Sequence, residues 1–294
     1  MADTIKIGNL DISAFKVGGA DCSIYLGTVK LYPQGEPVYS GFCRLTLNDD
    51  SVVEIQGSGE LTQAMITSYQ STVIGAEIGT LCTSIGASAF RECTNLASVT
   101  ISDTVTSIGQ YAFRQTSLTE VIIPDSVSGA LRNYQFYLCT KLRNVTIGSG
   151  ITGIGSDTFG QCRVSGTVTI KSNAITSASY TSSSNLSDRF TDKPTKYIFS
   201  DEVTTIASSL LYGGSAVTDI EIGSGITSIG ASAFRNCSSL TTLTLRATTP
   251  PSLATGVFLG TDITTIYVPA DSVEAYKAKS NWNTFASRIQ AIPA

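Results

Sequence analysis

Cysteine is the most reactive residue type that this chain uses in a pattern. Of its seven cysteines, Cys93, Cys139, Cys162 and Cys237 each follow a phenylalanine by three residues. Thiols at fixed spacing can pair as disulfides, bind zinc or fill a core. The odd count and the absence of any C-x-x-C pair argue against the first two. Thr116 holds the equivalent place after Phe113. A column of small buried side chains is therefore expected, with no metal ligands. Cys22, Cys43 and Cys82 stand alone and carry no readable chemistry.

Other catalytic groups are scarce. The chain has no histidine, so the commonest general base and metal ligand is missing. Carboxylates adjoin at Asp49-Asp50 and at Asp201-Glu202. Both pairs sit in turn-like contexts, and neither is bracketed by a second acidic cluster. The triplet "GSG" recurs at 57–59, 148–150 and 223–225, with no Walker or dinucleotide fingerprint after it. The last two occupy equivalent turns and read as punctuation. The triplet "NVT" at Asn144 needs a secretory route to be glycosylated. No catalytic residue and no cofactor is expected; the chain reads as non-enzymatic.

The elements that carry these residues repeat. Phe90, Phe113, Phe136 and Phe159 lie 23 residues apart, and "YIF" at Tyr197, "IEI" at Ile220, "LTL" at Leu243 and "IYV" at Ile266 keep the same period. "VTI" at Val99, Val145 and Val168 is in phase, and 29 residues separate Val168 from Tyr197. "SIGASAFR" occurs at Ser84 and again at Ser228. Six periods of 23 plus six extra residues account for the 144 between them. Each unit reads L-x-x-V-x-I, then a turn, then S-I-G-x-x-A-F-x-x-C. The first half alternates apolar and outward residues, the signature of a half-buried strand. The Gly after "SI", as in Gly109 and Gly230, suits a position with positive φ. One unit cannot bury its apolar face alone, so units must stack into a solenoid held by neighbour contacts. About nine rungs spaced at about 4.8 Å make a rod about 40 Å long. The predicted fold class is a repeat solenoid, leucine-rich-repeat-like, with 23-residue units and a short parallel β-sheet, preceded by a small β module.

The units "SIGxxAFxxCxxLxxVxI" resemble the BspA-like leucine-rich repeats of bacterial and microbial surface proteins, over about residues 74–290. Here the Cys lies before the Leu, whereas the standard repeat places Asn or Cys just after the strand. The binding rules of the standard repeat are therefore not carried over. The resemblance implies adhesion and surface interaction rather than catalysis.

Solenoids need covered ends. At the C-terminus, 271–294 departs from the repeat and reads as a helical cap. Asp271 and Glu274 suggest a capping box. Val273 and Tyr276 share one face; Trp282, Phe285 and Ile289 form a second apolar group. Residues 171–196 hold the insertion, dense in Ser and Thr, and read as a surface loop or an irregular rung. "CRLTLNDDSVVEIQG" reads as a hairpin turning at 48–50, and "SGELTQAMITSYQ" as a short helix with Leu61, Met65 and Ile66 facing the array. These make a 41–73 cap before a solenoid over 74–270.

Residues 1–40 form the small β module, in short runs broken by Gly. "SIYLGTVKLYP" looks like the N-terminal modules of tailed-bacteriophage virion proteins. That resemblance implies docking to other virion proteins through residues 1–40 and localisation on a virion assembled in host cytoplasm. "MADTIKIGNL" has no basic segment before an apolar stretch, so no export signal is expected. The alternative is a BspA-like adhesin on a bacterial cell surface.

Binding chemistry is left to the outward strand positions. Among these Glu120, Arg143, Glu221, Arg246 and Tyr267 are the ligand-binding candidates, with Arg143, Arg246 and Tyr267 the best anchors by residue type. The expected partner is a host-surface glycan or protein. Net charge is −4, with no basic stripe, so nucleic acid is not expected. No window of 18 apolar residues exists, so no membrane insertion is expected. Self-association into a homo-oligomer is left open, since no coiled-coil heptads occur.

Overall fold

The computed structural model describes residues 39–293, and within 1–38 the backbone of four short strands alone. The chain divides into two compact units, Met1–Val38 and Tyr39–Ala294. In the first, Ile5–Ile7 pairs antiparallel with Leu10–Ile12, and Ile24–Leu26 with Val29–Leu31. The docking role expected of residues 1–40, and Cys22, lie outside the described residues.

In the second unit, eight strands form one parallel sheet: Glu120–Ile123, Asn144–Ile147, Thr167–Ile170, Lys196–Phe199, Asp219–Ile222, Thr242–Leu245, Thr265–Val268 and Ile289–Ala291. Val145, Val168, Tyr197, Ile220, Leu243 and Ile266 face each other in register and are buried. The six extra residues therefore leave strand register untouched.

The sheet does not run unbroken to the N-terminus. Ser98–Ile101 pairs parallel with Val73–Ile78, which pairs antiparallel with Cys43–Leu47, itself paired with Val52–Ile55. Asp50, at φ 64°, sits in the turn between the last two. No ladder joins Ser98–Ile101 to Glu120–Ile123. The sequence explains the gap. The residue after each strand normally donates its N–H to the rung before, as Lys171 does to Ile147 O (3.0 Å) and Arg246 to Ile222 O (2.9 Å). Pro124 occupies that place and has no N–H. This rung also slips out of phase: Val121 is 22 residues after Val99, and 24 before its partner Val145. The constant phase read from "VTI" skips this rung. Pro269 has a milder effect: pairing to Thr265–Val268 stops at Tyr267.

Two further ladders hold the rungs together. A second, interrupted one joins the "SI" segments, such as Thr205–Ile206, Ser228–Ile229 and Ser252–Leu253. The turn arcs make the third: Phe90 N–H donates to Ala112 O (2.7 Å) and Phe113 N–H to Gln135 O (2.9 Å). Beneath the arcs runs an aromatic column. Phe90, Phe113, Phe136, Phe159 and Phe190 stack with centroids 5.3–5.4 Å apart and are buried.

The glycine after "SI" departs from expectation. Neither Gly109 nor Gly230 has positive φ. A Cβ on Gly230 would lie 2.5 Å from Ser208 N, and one on Gly109 would strike Ala87 N. Glycine is required there because the backbone of the previous rung passes too close, not because of its own dihedral.

The ends also differ in detail from the sequence reading. Gly59–Leu61 is a strand pairing with Cys82–Ile85, and the helix covers only Gln63–Ile66, continued as a 3-10 turn over Thr67–Tyr69. Leu61 and Ile66 are buried and Met65 packs against them. At the C-terminus a 3-10 turn, Ala270–Ser272, precedes helix Val273–Ala278. Ser272 holds the N-cap position and no side chain caps the helix, so the Asp271–Glu274 capping box is not formed. Ile289 lies on the eighth strand rather than on a helix with Trp282 and Phe285. Tyr276 and Trp282 are buried, and their polar tips donate to Ala247 O (2.9 Å) and Pro251 O (2.8 Å).

Candidate binding face

The outward side of the eight-stranded sheet carries one register column running from Ile122 through Thr146, Thr169, Ile198, Glu221, Thr244 and Tyr267 to Gln290. Alternation fixes this: each flanking apolar residue points into the core, so the residue between them must point out. All but Gln290, which is exposed, are half-buried.

The structure brings two of the five candidates together. Glu221 accepts from Arg246 Nε at 2.8 Å and pairs with Lys196 Nζ at 3.3 Å. Its side chain keeps 13% exposure, so three rungs share one partly desolvated carboxylate. Exposed pairs are worth about 0.2–1 kcal/mol each, and a shared carboxylate mainly fixes geometry. Lys196 was not singled out in the sequence. Its signal is an opposite charge 25 residues from Glu221, one period plus two, which repeats from Glu221 to Arg246.

The other three are separate. Tyr267 lies on the same column two rungs from Glu221. Arg143 precedes its strand, and its Nη1 donates to Thr140 O, Leu142 O and Arg163 O at 3.1–3.2 Å. Through Nη1 that guanidinium clamps two adjacent turns. Glu120 begins the first strand of the sheet, at the break.

Acidic turn residues act between rungs. Asp125 accepts from Ser149 N–H (2.8 Å) and pairs with Lys171 (3.1 Å); Asp201 accepts from Ser224 N–H (2.6 Å). Burial alone would raise the Asp125 carboxyl, but Ser149 N–H and Lys171 hold it below the ordinary value. The Ser224 N–H and hydroxyl lower Asp201 likewise. Asp201 is thereby explained as a turn residue. Asp49 likewise accepts from Ser51 N–H (3.0 Å) in its own turn.

The repeat-phase thiols are buried and free. Three of the four donate to the carbonyl of the Phe-position residue one rung earlier: Cys139 to Phe113 (3.1 Å), Cys162 to Phe136 (2.9 Å), Cys237 to Leu211 (3.1 Å). Burial pushes Cys43, Cys93 and Cys237 up to about 12, so they stay protonated and unreactive. Among the described residues, no group of three His, Cys, Asp or Glu is placed to hold a metal. No described helix is long and apolar enough to cross a membrane. A shallow concavity of about 380 Å³ on the second ladder, around Ala207, Gly230 and Ala254, contains no ionisable side chain in its lining.

A family model described as "BspA type Leucine rich repeat region" matches residues 68–187 and 190–284, in six copies. Among solved structures, a leucine-rich repeat protein from Eubacterium ventriosum is 19% identical, covers 87% of this chain and 83% of its own, and has a TM-score of 0.37. A leucine rich cell surface protein from Faecalibacterium prausnitzii is 17% identical over 83% and 85%, with a TM-score of 0.27. The pneumococcal vaccine antigen PcpA is 13% identical over 87% and 89%, with a TM-score of 0.25. No curated protein matches the chain.

Proposed function

The chain belongs to the BspA-type leucine-rich repeat family, and on that premise we propose that it is a non-enzymatic interaction protein that binds a macromolecular partner on the outward face of its sheet, at a bacterial cell surface. The observation carrying this reading is the rigid column from Ile122 to Gln290. It sets apolar Ile198 and aromatic Tyr267 around the Lys196–Glu221–Arg246 cluster on a scaffold bonded along three ladders. Half-buried aromatic and aliphatic groups beside oriented charges are the usual anchors of a binding surface. A side chain held on a sheet loses little further freedom on binding.

The tailed-phage reading rests on "SIYLGTVKLYP", of which only the strands Ile24–Leu26 and Val29–Leu31 are described and which lies outside the family match; nothing in the comparisons supports it.

The test is direct. Full-length protein is measured by biolayer interferometry against host extracellular-matrix proteins and mammalian and bacterial cell-wall glycans. The double variant Ile198→Ser, Tyr267→Ala is expected to weaken the strongest interaction about tenfold or more while the circular dichroism spectrum stays unchanged. Undiminished binding would remove the sheet face as the site.

A further inference from the structure

Six turn arcs have a left-handed backbone position two residues before the Phe position, and in one of them it is Gly256. It holds Ser88, Ser209 and Ser232 in three rungs, at φ 60°, 60° and 56°. In two adjacent rungs it holds Tyr111 and Tyr134, at φ 62° and 69°. That backbone region disfavours bulky side chains, and serine meets the same need at lower cost. The two tyrosines therefore occupy a position that the fold itself does not require them to fill.

What they build is a cluster outside the core. Their rings stack with centroids 5.5 Å apart and planes within 13°. Tyr137 meets Tyr134 edge-on at 5.2 Å. The next rung makes room for it: Gly160 occupies the equivalent position, where a Cβ would come within 2.9 Å of the Tyr137 ring. The Arg114 guanidinium lies 5.9 Å from the Tyr137 ring centre. Glu92 pairs with Arg91 at 2.9 Å and approaches Arg114 at 3.9 Å, leaving one positive charge in excess on a chain of net charge −4. All three tyrosines are half-buried, and among the described residues none of their hydroxyls has a hydrogen-bond partner.

We propose that Tyr111, Tyr134, Tyr137 and Arg114 form a second binding site, on the turn arcs rather than the sheet, for a carboxylate-bearing pyranose of an acidic glycan. A pyranose offers an apolar C–H face to an aromatic ring, hydroxyls to unpartnered phenols and a carboxylate to a guanidinium. The excess positive charge selects an acidic sugar over a neutral one. Ser88, in the rung before Tyr111, leaves the end of the aromatic stack without another ring.

The test uses calorimetric titration of the full-length protein with three probes: a glucuronate-containing oligosaccharide, sialyllactose and neutral lactose. At least one acidic probe is expected to bind, more weakly as salt is raised, with lactose weaker by about tenfold. The double variant Tyr111→Ser, Tyr134→Ser restores the residue of other rungs. It is expected to keep or raise the melting temperature while weakening acidic-probe binding by about tenfold or more. Arg114→Gln is expected to erase the acidic preference. Tyr267→Ala, on the sheet, is expected to leave it unchanged, which separates this site from the sheet face. The proposal is overturned by no binding to either acidic probe, by equal binding of lactose, by undiminished affinity in the double variant, or by a melting temperature several degrees lower in that variant, which would make the tyrosines structural.

Discussion

From Phe136 to Phe159 the chain takes 23 residues to lay one ring on the next; from Phe159 to Phe190 it takes 31. The centroid separation is 5.3 Å in both cases. The two rungs reach it by different means. The regular rung is tied by a thiol, Cys162, donating back to Phe136 O. The irregular rung carries Lys193 where that thiol would stand. Its polar groups act instead: Ser172 Oγ donates back to Ile151 O (2.5 Å) and accepts from Ile175 N–H (3.1 Å), and Asn185 and Asp188 form a reciprocal capping box within the rung. Asn185, Ser187 and Ser172 are buried. What the fold conserves is therefore the ring stack and the strand register. Contour length is free, because extra residues can close on themselves if their backbone groups find local partners.

The largest expected effect tests whether the irregular rung belongs to the core. Phe136→Ala is expected to cost about 3–5 kcal/mol, lowering the melting temperature by roughly 10 °C. Phe190→Ala is expected to cost about as much, read by urea unfolding. A cost below about 1 kcal/mol at Phe190 would return residues 171–196 to the status of a tolerated loop. Next in size, Gly230→Ala pushes a Cβ against Ser208 N and is expected to cost about 1–3 kcal/mol. Gly213→Ala, with φ 70° but open space around it, costs only the dihedral, about 1 kcal/mol. Equal values would mean that rung proximity is not what demands glycine. Asn185→Ala is expected to cost about 1 kcal/mol through loss of the cap, seen as faster hydrogen exchange confined to the irregular rung.

The smallest effect separates thiol-tied rungs from the polar one by pH. The Cys93 and Cys237 thiols are raised to about 12 by burial, above an unfolded value near 8.5. A raised thiol contributes its full stability below the unfolded value and loses it as pH climbs toward 12. Urea midpoints are thus expected to fall between pH 8 and pH 11. Cys93→Ala with Cys237→Ala should flatten that fall, whereas Asn185→Ala should leave its slope unchanged.

Spacing alone made most of this fold legible. Phenylalanines at 90, 113, 136 and 159 and apolar triplets at 197, 220, 243 and 266 specify a stack, because a period can be satisfied only by neighbours that bury the same face. Pro124 was readable in principle, since a missing N–H can be located once the strand ends are known. The candidate face was legible as a set of outward positions, but not as chemistry. Arg143 and Arg246 are alike in sequence, yet one clamps main-chain carbonyls and the other pairs with a carboxylate.

The sequence by itself determined the period, the inward and outward assignment of strand residues and the aromatic column, since alternation and repeat length are properties of the chain. Only the tertiary structure decided which charges meet across rungs, why glycine follows "SI" and how 31 residues occupy the place of 23. Those depend on distances between segments that the chain brings together only after it has stacked.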